Sequence, residues 1–444
     1  MVRTFTRIAR MAGALSCAAA LLGLAACSGG SDDGGAAKPT TAAGAASGAP
    51  VAASASPGSA GSGGAQAAAP TTPVWGFTRF TSPATPVGTQ TVLPASESSG
   101  SWRTGGGSAA SAHVMVTHLA RGSYQVTFPG VAVPSGRGVA FATALDAPGA
   151  AASAPVVSCR TVRWDAAARD EQVEVACRDA AGTPADTGFT ALFDHVPDAA
   201  APSPGGAFAY LRVDAAGAAA ATSKPVDSYS VAGPGTIEVH RVGAGHYTID
   251  LIGPAFAKNG NNLQVNATGE GEIGCNALGR VVGKDRQSVF VGCARGATWT
   301  DSPFALLYTS GHALIPTDAT SFGHAFTGIT VQGGPTQQAP IGPAVNAWGW
   351  YSANSTGATN QVRRLAVGRY EVTFPSVARN ADSLQVTPYG EPTARCSAAG
   401  AGATAAASTG GAATITVRCV DAAGRPADSY ASVAYVSAPG STTP

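Results

Sequence analysis

"GSYQVTF", residues 122–128, returns as "GHYTIDL" at 245–251 and as "GRYEVTF" at 368–374. The tyrosines stand at 124, 247 and 370, so 247 − 124 and 370 − 247 are both 123, and equal intervals this long mark a duplicated structural unit. Within each phrase Tyr124, Val126 and Phe128, or Tyr247, Ile249 and Leu251, or Tyr370, Val372 and Phe374, alternate with polar neighbours. Period two places each set on one face of a strand. Val114 and Val116, Ile237 and Val239, and Val362 form a preceding run, joined to the tyrosine strand through Gly122, Gly245 or Gly368. That pattern predicts a hairpin whose glycine takes a positive φ.

Downstream, each copy continues with a β-rich run: "GVAFATA" at 138–144, "NLQVNA" at 262–267 and "SLQVTPYG" at 383–390. A first cysteine follows, then a strand ending in a second: "QVEVAC", "SVFVGC" and "TITVRC". Alternation puts Cys177, Cys293 and Cys419 on the inward face with the valines and isoleucine before them. The turns "RDAAGTPAD" and "VDAAGRPAD" combine aspartate, glycine and proline, each of which stops a strand for its own reason. Asp186, Asp301 and Asp428 lie 9, 8 and 9 residues after the second cysteine and are read as turn caps, because no ring of alternating carboxylates surrounds them as calcium would require. "FTALFDHV", "FALLYTS" and "ASVAYVS" supply a closing strand. Counting the opener, hairpin pair, middle run, two cysteine strands and closer gives about seven strands per copy.

The amino terminus gives an address. Arg3, Arg7 and Arg10 precede the uncharged run "MAGALSCAAALLGLAAC", too short for a membrane span and typical of a signal peptide. Its end, Leu24-Ala25-Ala26-Cys27, resembles the lipobox of bacterial lipoproteins, which implies lipidation of Cys27. Ser28 rather than aspartate after it implies, by the same resemblance, the outer membrane if the host is Gram-negative. Of 8 cysteines, Cys17 and Cys27 belong to this segment, leaving six: Cys159, Cys177, Cys275, Cys293, Cys396 and Cys419. One pair per copy behind an export signal predicts three disulfides, 159–177, 275–293 and 396–419, rather than zinc, since the seven histidines hold no ligand spacing.

Charged residues are only 12% of the chain, and removing three arginines from a net charge of +1 leaves −2, no field for nucleic acid. Residues 27–73 are rich in alanine, glycine, serine and proline and read as a disordered tether after the 1–26 signal peptide. The β repeats are expected at 74–198, 206–310 and 346–438, with 311–345 as a linker or insert. The fold class is all-β: three tandem β-sandwich-like repeats, Ig-like in shape, each with one disulfide, after the tether. The alternative is a β-propeller-like closed ring.

Aromatic residues near the expected unit starts, Trp75, Trp348 and Trp350, are either core plugs or a ligand-facing platform for sugar rings. No nucleophile elbow, zinc helix or phosphate loop is present, and neither Asp170 and Glu171 nor His240 and His246 are singled out as catalytic. The G-x-Y-x-V-x-F-P phrase, the cysteine strand and D-A-A-G-x-P-A-D-S together resemble a family of exported bacterial β-repeat proteins without assigned function, over most of residues 74–437. That resemblance implies architecture and export, and no catalytic residue. The expected function is a lipid-anchored, non-catalytic structural, adhesive or ligand-binding module of the cell envelope. It needs no cofactor or metal and meets the membrane through its lipid and an envelope protein or glycan as partner. A carbohydrate-active enzyme with an inter-repeat cleft is the alternative, and an assembly factor offering a strand edge is a third.

Overall fold

In the computed structural model, the described residues are 70–103, 112–147, 150, 154–198, 200, 206–317, 321–329, 338–341, 352–399 and 410–439. The signal peptide, Cys27 and nearly all of the tether lie outside them.

The fold is all-β, and the same connectivity occurs in three segments. In the first, the hairpin Met115–Ala120 and Ser123–Phe128 continues through the cysteine strands Asp170–Arg178 and Ser158–Ala167, with the short Gln90–Val92 at the other edge. A second sheet runs in the order Val139–Asp146, Gly188–His195, Val74–Phe80, Ser98–Gly100. The aromatic faces of the two sheets meet, with Tyr124 against Phe80 at 5.6 Å and Phe189 at 5.2 Å between ring centroids. The second and third segments repeat both strand orders, packing Tyr247 on Phe304 and Phe374 near Tyr435. Each is therefore a two-sheet sandwich, with nine described strands in the first and third and a tenth, Thr298–Trp299, in the second. The strands beyond the expected seven are short pieces of two to four residues, such as Gln90–Val92 and Ser98–Gly100, too brief to carry a period.

The third unit begins earlier than its aromatics suggest. Gly323–Ile329 pairs along Ala431–Ser437 just as Val74–Phe80 pairs along Phe189–His195, so it is the opening strand and not part of an insert at 311–345. Phe326 fills the place of Phe77 and Tyr210, opposite Ala434, Leu192 and Leu307 respectively. Trp348 and Trp350, the expected opener, lie outside the described residues.

The repeated phrase turns out to be a tie. Gly122, Gly245 and Gly368 have φ of 66, 65 and 63°, and an added Cβ would meet the carbonyl oxygen of Cys177, Cys293 or Cys419 at 2.5, 2.3 and 2.4 Å. That close approach allows the cysteine N–H to donate to the glycine carbonyl at 2.7 Å in all three. The glycine N–H and the tyrosine hydroxyl both donate to one carboxylate oxygen: Asp186, Asp301 or Asp428. A buried tyrosine hydroxyl, a strained turn and the end of the cysteine strand are thus fixed by a single aspartate.

The three disulfides are 159–177, 275–293 and 396–419, each joining cysteines directly opposite on antiparallel strands. With separations of 18, 18 and 23 residues, each contributes roughly 3 kcal/mol in the chain-entropy picture.

Among the described residues no sheet closes on itself, so the β-propeller-like ring is not the arrangement found: the sheets are open, with paths of nine, four, ten and five strands. The two long ones arise where a cysteine strand of one unit meets the middle strand of another in parallel, Ala398 opposite Leu145 and Ala277 opposite Tyr389. At the remaining contact Gly269 N donates to Val162 O at 2.8 Å. Each unit therefore touches both others through its middle strand and its first cysteine strand.

Candidate binding site at the three-unit junction

Sequence alternation cannot show what the middle strands face, because their residues are buried on both sides. Their polar side chains serve one another across units. Thr143 Oγ1 accepts from Val386 N at 3.0 Å and Thr387 Oγ1 accepts from Val265 N at 3.0 Å. Asn266 Nδ2 donates to Ala142 O at 3.2 Å. Each unit thus supplies one side chain to the backbone of another, satisfying groups that could not reach water.

The residue after each first cysteine makes a second set of links. Arg160 donates to the carbonyls of Gly271 and Ile273, the latter at 3.1 Å. Asn276 Nδ2 donates to the carbonyls of Glu391 and Ala394, both at 2.8 Å. Ser397 Oγ donates to the Asp146 carboxylate at 3.0 Å, which also receives Arg418 at 2.8 Å. Both ends of that ion pair are nearly buried. Burial lifts the Asp146 carboxyl above its ordinary value, against the pull of Arg418 and Ser397.

Beside these links lies a pocket of about 90 Å3 that draws its walls from all three units. Cys159, Cys275 and Cys396 converge on it, Ala142, Val265 and Val386 supply apolar surface, and Arg160, Arg178 and Arg395 supply charge. Glu272 is the carboxylate in its wall and lies over Gly182, where an added Cβ would sit 2.7 Å from the Glu272 Cδ. A partly open pocket of mixed polar and apolar lining, with a few convergent polar groups, is a candidate small-molecule site.

The residues marked in the sequence go elsewhere. Trp75 is 3% exposed, stacked on Phe77 and edge-on to Phe322, so it is a core residue and not a ligand-facing aromatic. Trp299, unremarked in the sequence, is the exposed tryptophan among the described residues, and lies against His246 with centroids 3.9 Å apart. His240 sits opposite Thr248 on the hairpin, 3.7 Å from both Glu238 and Asp250, and does not face His246. Glu171 is fully buried and accepts from Val133 N at 3.0 Å, and burial pushes its carboxyl up to about 8. Asp170 accepts from Gly130 N at 2.9 Å. Neither reaches the cavity. Asp186, Asp301 and Asp428 are spent on the tyrosine ties, beyond the turn capping expected of them. True turn caps are Asp179 and Asp421, each accepting two backbone N–H groups with one oxygen.

The cavity arginines went unmarked, although one signal was available: Arg160, Arg178 and Arg395 each adjoin a cysteine. A disulfide fixed at the junction carries its chain neighbours there too.

The disulfides put the fold in an oxidising, extracytoplasmic setting, and among the described residues no helix is long and apolar enough to cross a membrane. Comparison with protein-family models, curated proteins and solved structures finds no match to this chain.

Proposed function

We propose that the protein is a lipid-anchored module of the bacterial cell envelope, held through Cys27, that binds a ligand without chemically changing it. The observation that carries the binding reading is the shared cavity: three disulfide-pinned units contribute walls to one hollow, and none could form it alone. The family resemblance and the lipobox support the address. The three tyrosine-phrase units are read as copies of one ancestral sandwich, because glycine, tyrosine, aspartate and cysteine pair recur in the same contacts. The carbohydrate-active alternative needs two opposed carboxylates, whereas the described wall of this cavity carries one, Glu272, together with three arginines. The assembly-factor reading is weakened because six of the described sheet edges are strands of two to four residues, while the two longer edges, Ser158–Ala167 and Asn262–Ala267, adjoin each other at the junction.

The test is a thermal-shift screen of the full chain against anions, neutral oligosaccharides and peptides, with product analysis of every ligand that binds. Stabilisation with the ligand recovered intact is expected. Recovery of a cleaved ligand would overturn the non-catalytic reading, and no stabilisation by any class would overturn the binding reading. Incorporation of labelled palmitate, abolished in Cys27→Ser, is expected for the anchor.

A further inference from the structure

Around the disulfides the three units stop matching. Ser158 and Arg160 flank Cys159, Gly274 and Asn276 flank Cys275, and Arg395 and Ser397 flank Cys396. After the second cysteines come Arg178, Ala294 and Val420. A threefold scaffold places these unlike residues around one hollow, and the result is three guanidinium groups in its wall.

Their partners are backbone carbonyls. Arg160 bonds Gly271 and Ile273, Arg178 bonds Gly182 at 2.8 Å, and Arg395 bonds Asp179 O at 2.8 Å. Among the described residues none of the three forms an ion pair, while Arg178 Nε is buried without any hydrogen-bond partner. A carbonyl satisfies an N–H but carries no net charge; Glu270 and Glu272 attract Arg160, and Asp179 and Glu272 attract Arg395, from beyond ion-pair distance, and burial of the three charges is costly. The strain registers on Arg160. Burial first, then repulsion from Arg178 and Arg395, push it down to about 10, with Glu270 and Glu272 opposing. Ala142, Val265, Val386 and Pro388 supply apolar surface to the same pocket.

We propose that the junction cavity binds a small organic anion, its carboxylate or phosphate group held by Arg160, Arg178 and Arg395 and its compact apolar body against Val265, Val386 and Pro388. The proposal rests on the ligand-binding reading above and names the ligand's chemistry. Guanidinium forks suit both carboxylate and phosphate, and each charge-assisted bond strengthens as water is excluded.

Calorimetric titration of the full chain with inorganic phosphate, hexanoate and a neutral trisaccharide tests it. Binding of hexanoate with phosphate inactive assigns a carboxylate ligand; binding of phosphate assigns a phosphate ligand. Arg178→Met and Arg395→Met are each expected to lower the affinity of the bound anion at least about tenfold. Arg395→Gln, which can still donate to the Asp179 carbonyl but carries no charge, is expected to lose as much of it as Arg395→Met, a result that a purely structural role at that carbonyl does not predict. Binding unchanged in both Met variants overturns the proposal. Binding of the trisaccharide with neither anion bound up to about 10 mM overturns it but leaves the ligand-binding reading standing. Failure of all three ligands, together with an empty ligand screen, removes both.

Discussion

The tyrosine ties and the junction cavity are built by the same chain on opposite logics. At the ties, glycine, tyrosine and aspartate recur three times with nearly the same distances, and only the further side-chain partner varies: Arg241 on Asp301, Arg364 on Asp428, His118 on Asp186. At the junction the backbone contacts recur while the side chains differ: arginine, asparagine and serine after the first cysteine. What repeats holds each sandwich together. What differs is where a single asymmetric site can arise from a threefold frame.

The largest expected effect breaks a tie. Asp428→Ala strips the partner from Arg364, the Tyr370 hydroxyl and Gly368 N–H in a site where both charged side chains are under one-fifth exposed. It should cost about 3 kcal/mol in urea unfolding. Asp301→Ala should cost less, about 2 kcal/mol, because that pair is near 30% exposed on both sides. Equal losses would mean that burial does not set the strength of the tie. Gly245→Ala forces a side chain onto φ of 65° and against the Cys293 carbonyl, and is expected to cost roughly 2 kcal/mol by the same measurement.

Glu171 is a buried carboxyl outside both regions. Its carboxyl is raised to about 8 by burial, outweighing the Val133 N–H bond and reinforced by Asp165. A raised carboxyl favours the folded state fully below the unfolded value of about 4.3 and loses that contribution as pH rises toward 8. Glu171→Gln should therefore stabilise the protein by about 2 kcal/mol at neutral pH and by nothing measurable near pH 4. A gain of equal size at both pH values would contradict this. The reverse sign holds at Asp301. Burial raises it, but bonds from Arg241, Gly245 and Tyr247 prevail and hold it below the usual carboxylate range, so its contribution is present above about pH 4 and lost on acidification. The smallest effect is expected at the hairpin tips. Leu119→Ser and Val242→Ser, at exposed positions, should shift stability by no more than about 0.5 kcal/mol, serving as the baseline for the tie variants.

The hairpins and disulfides were legible because their signals are local: period-two alternation from Tyr124 to Phe128, and one cysteine pair in each 123-residue interval. The third opener was missed because "GHAFTGI" carries two glycines and one aromatic residue, while Trp348 and Trp350 drew the boundary downstream. Asp186, Asp301 and Asp428 were correctly spaced but under-read, since their tyrosine partners lie 62, 54 and 58 residues away. The junction could not be read from alternation at all. Thr143 and Val386 meet across 243 residues, and nothing in the pattern of either strand announces the other.

At the junction the three units form one body and so present one site. Scanning calorimetry of the oxidised full chain tests it most directly. The account predicts a single transition in which the calorimetric and van't Hoff enthalpies agree. Two or three separate transitions would show units that unfold independently, and would contradict a junction firm enough to hold a site.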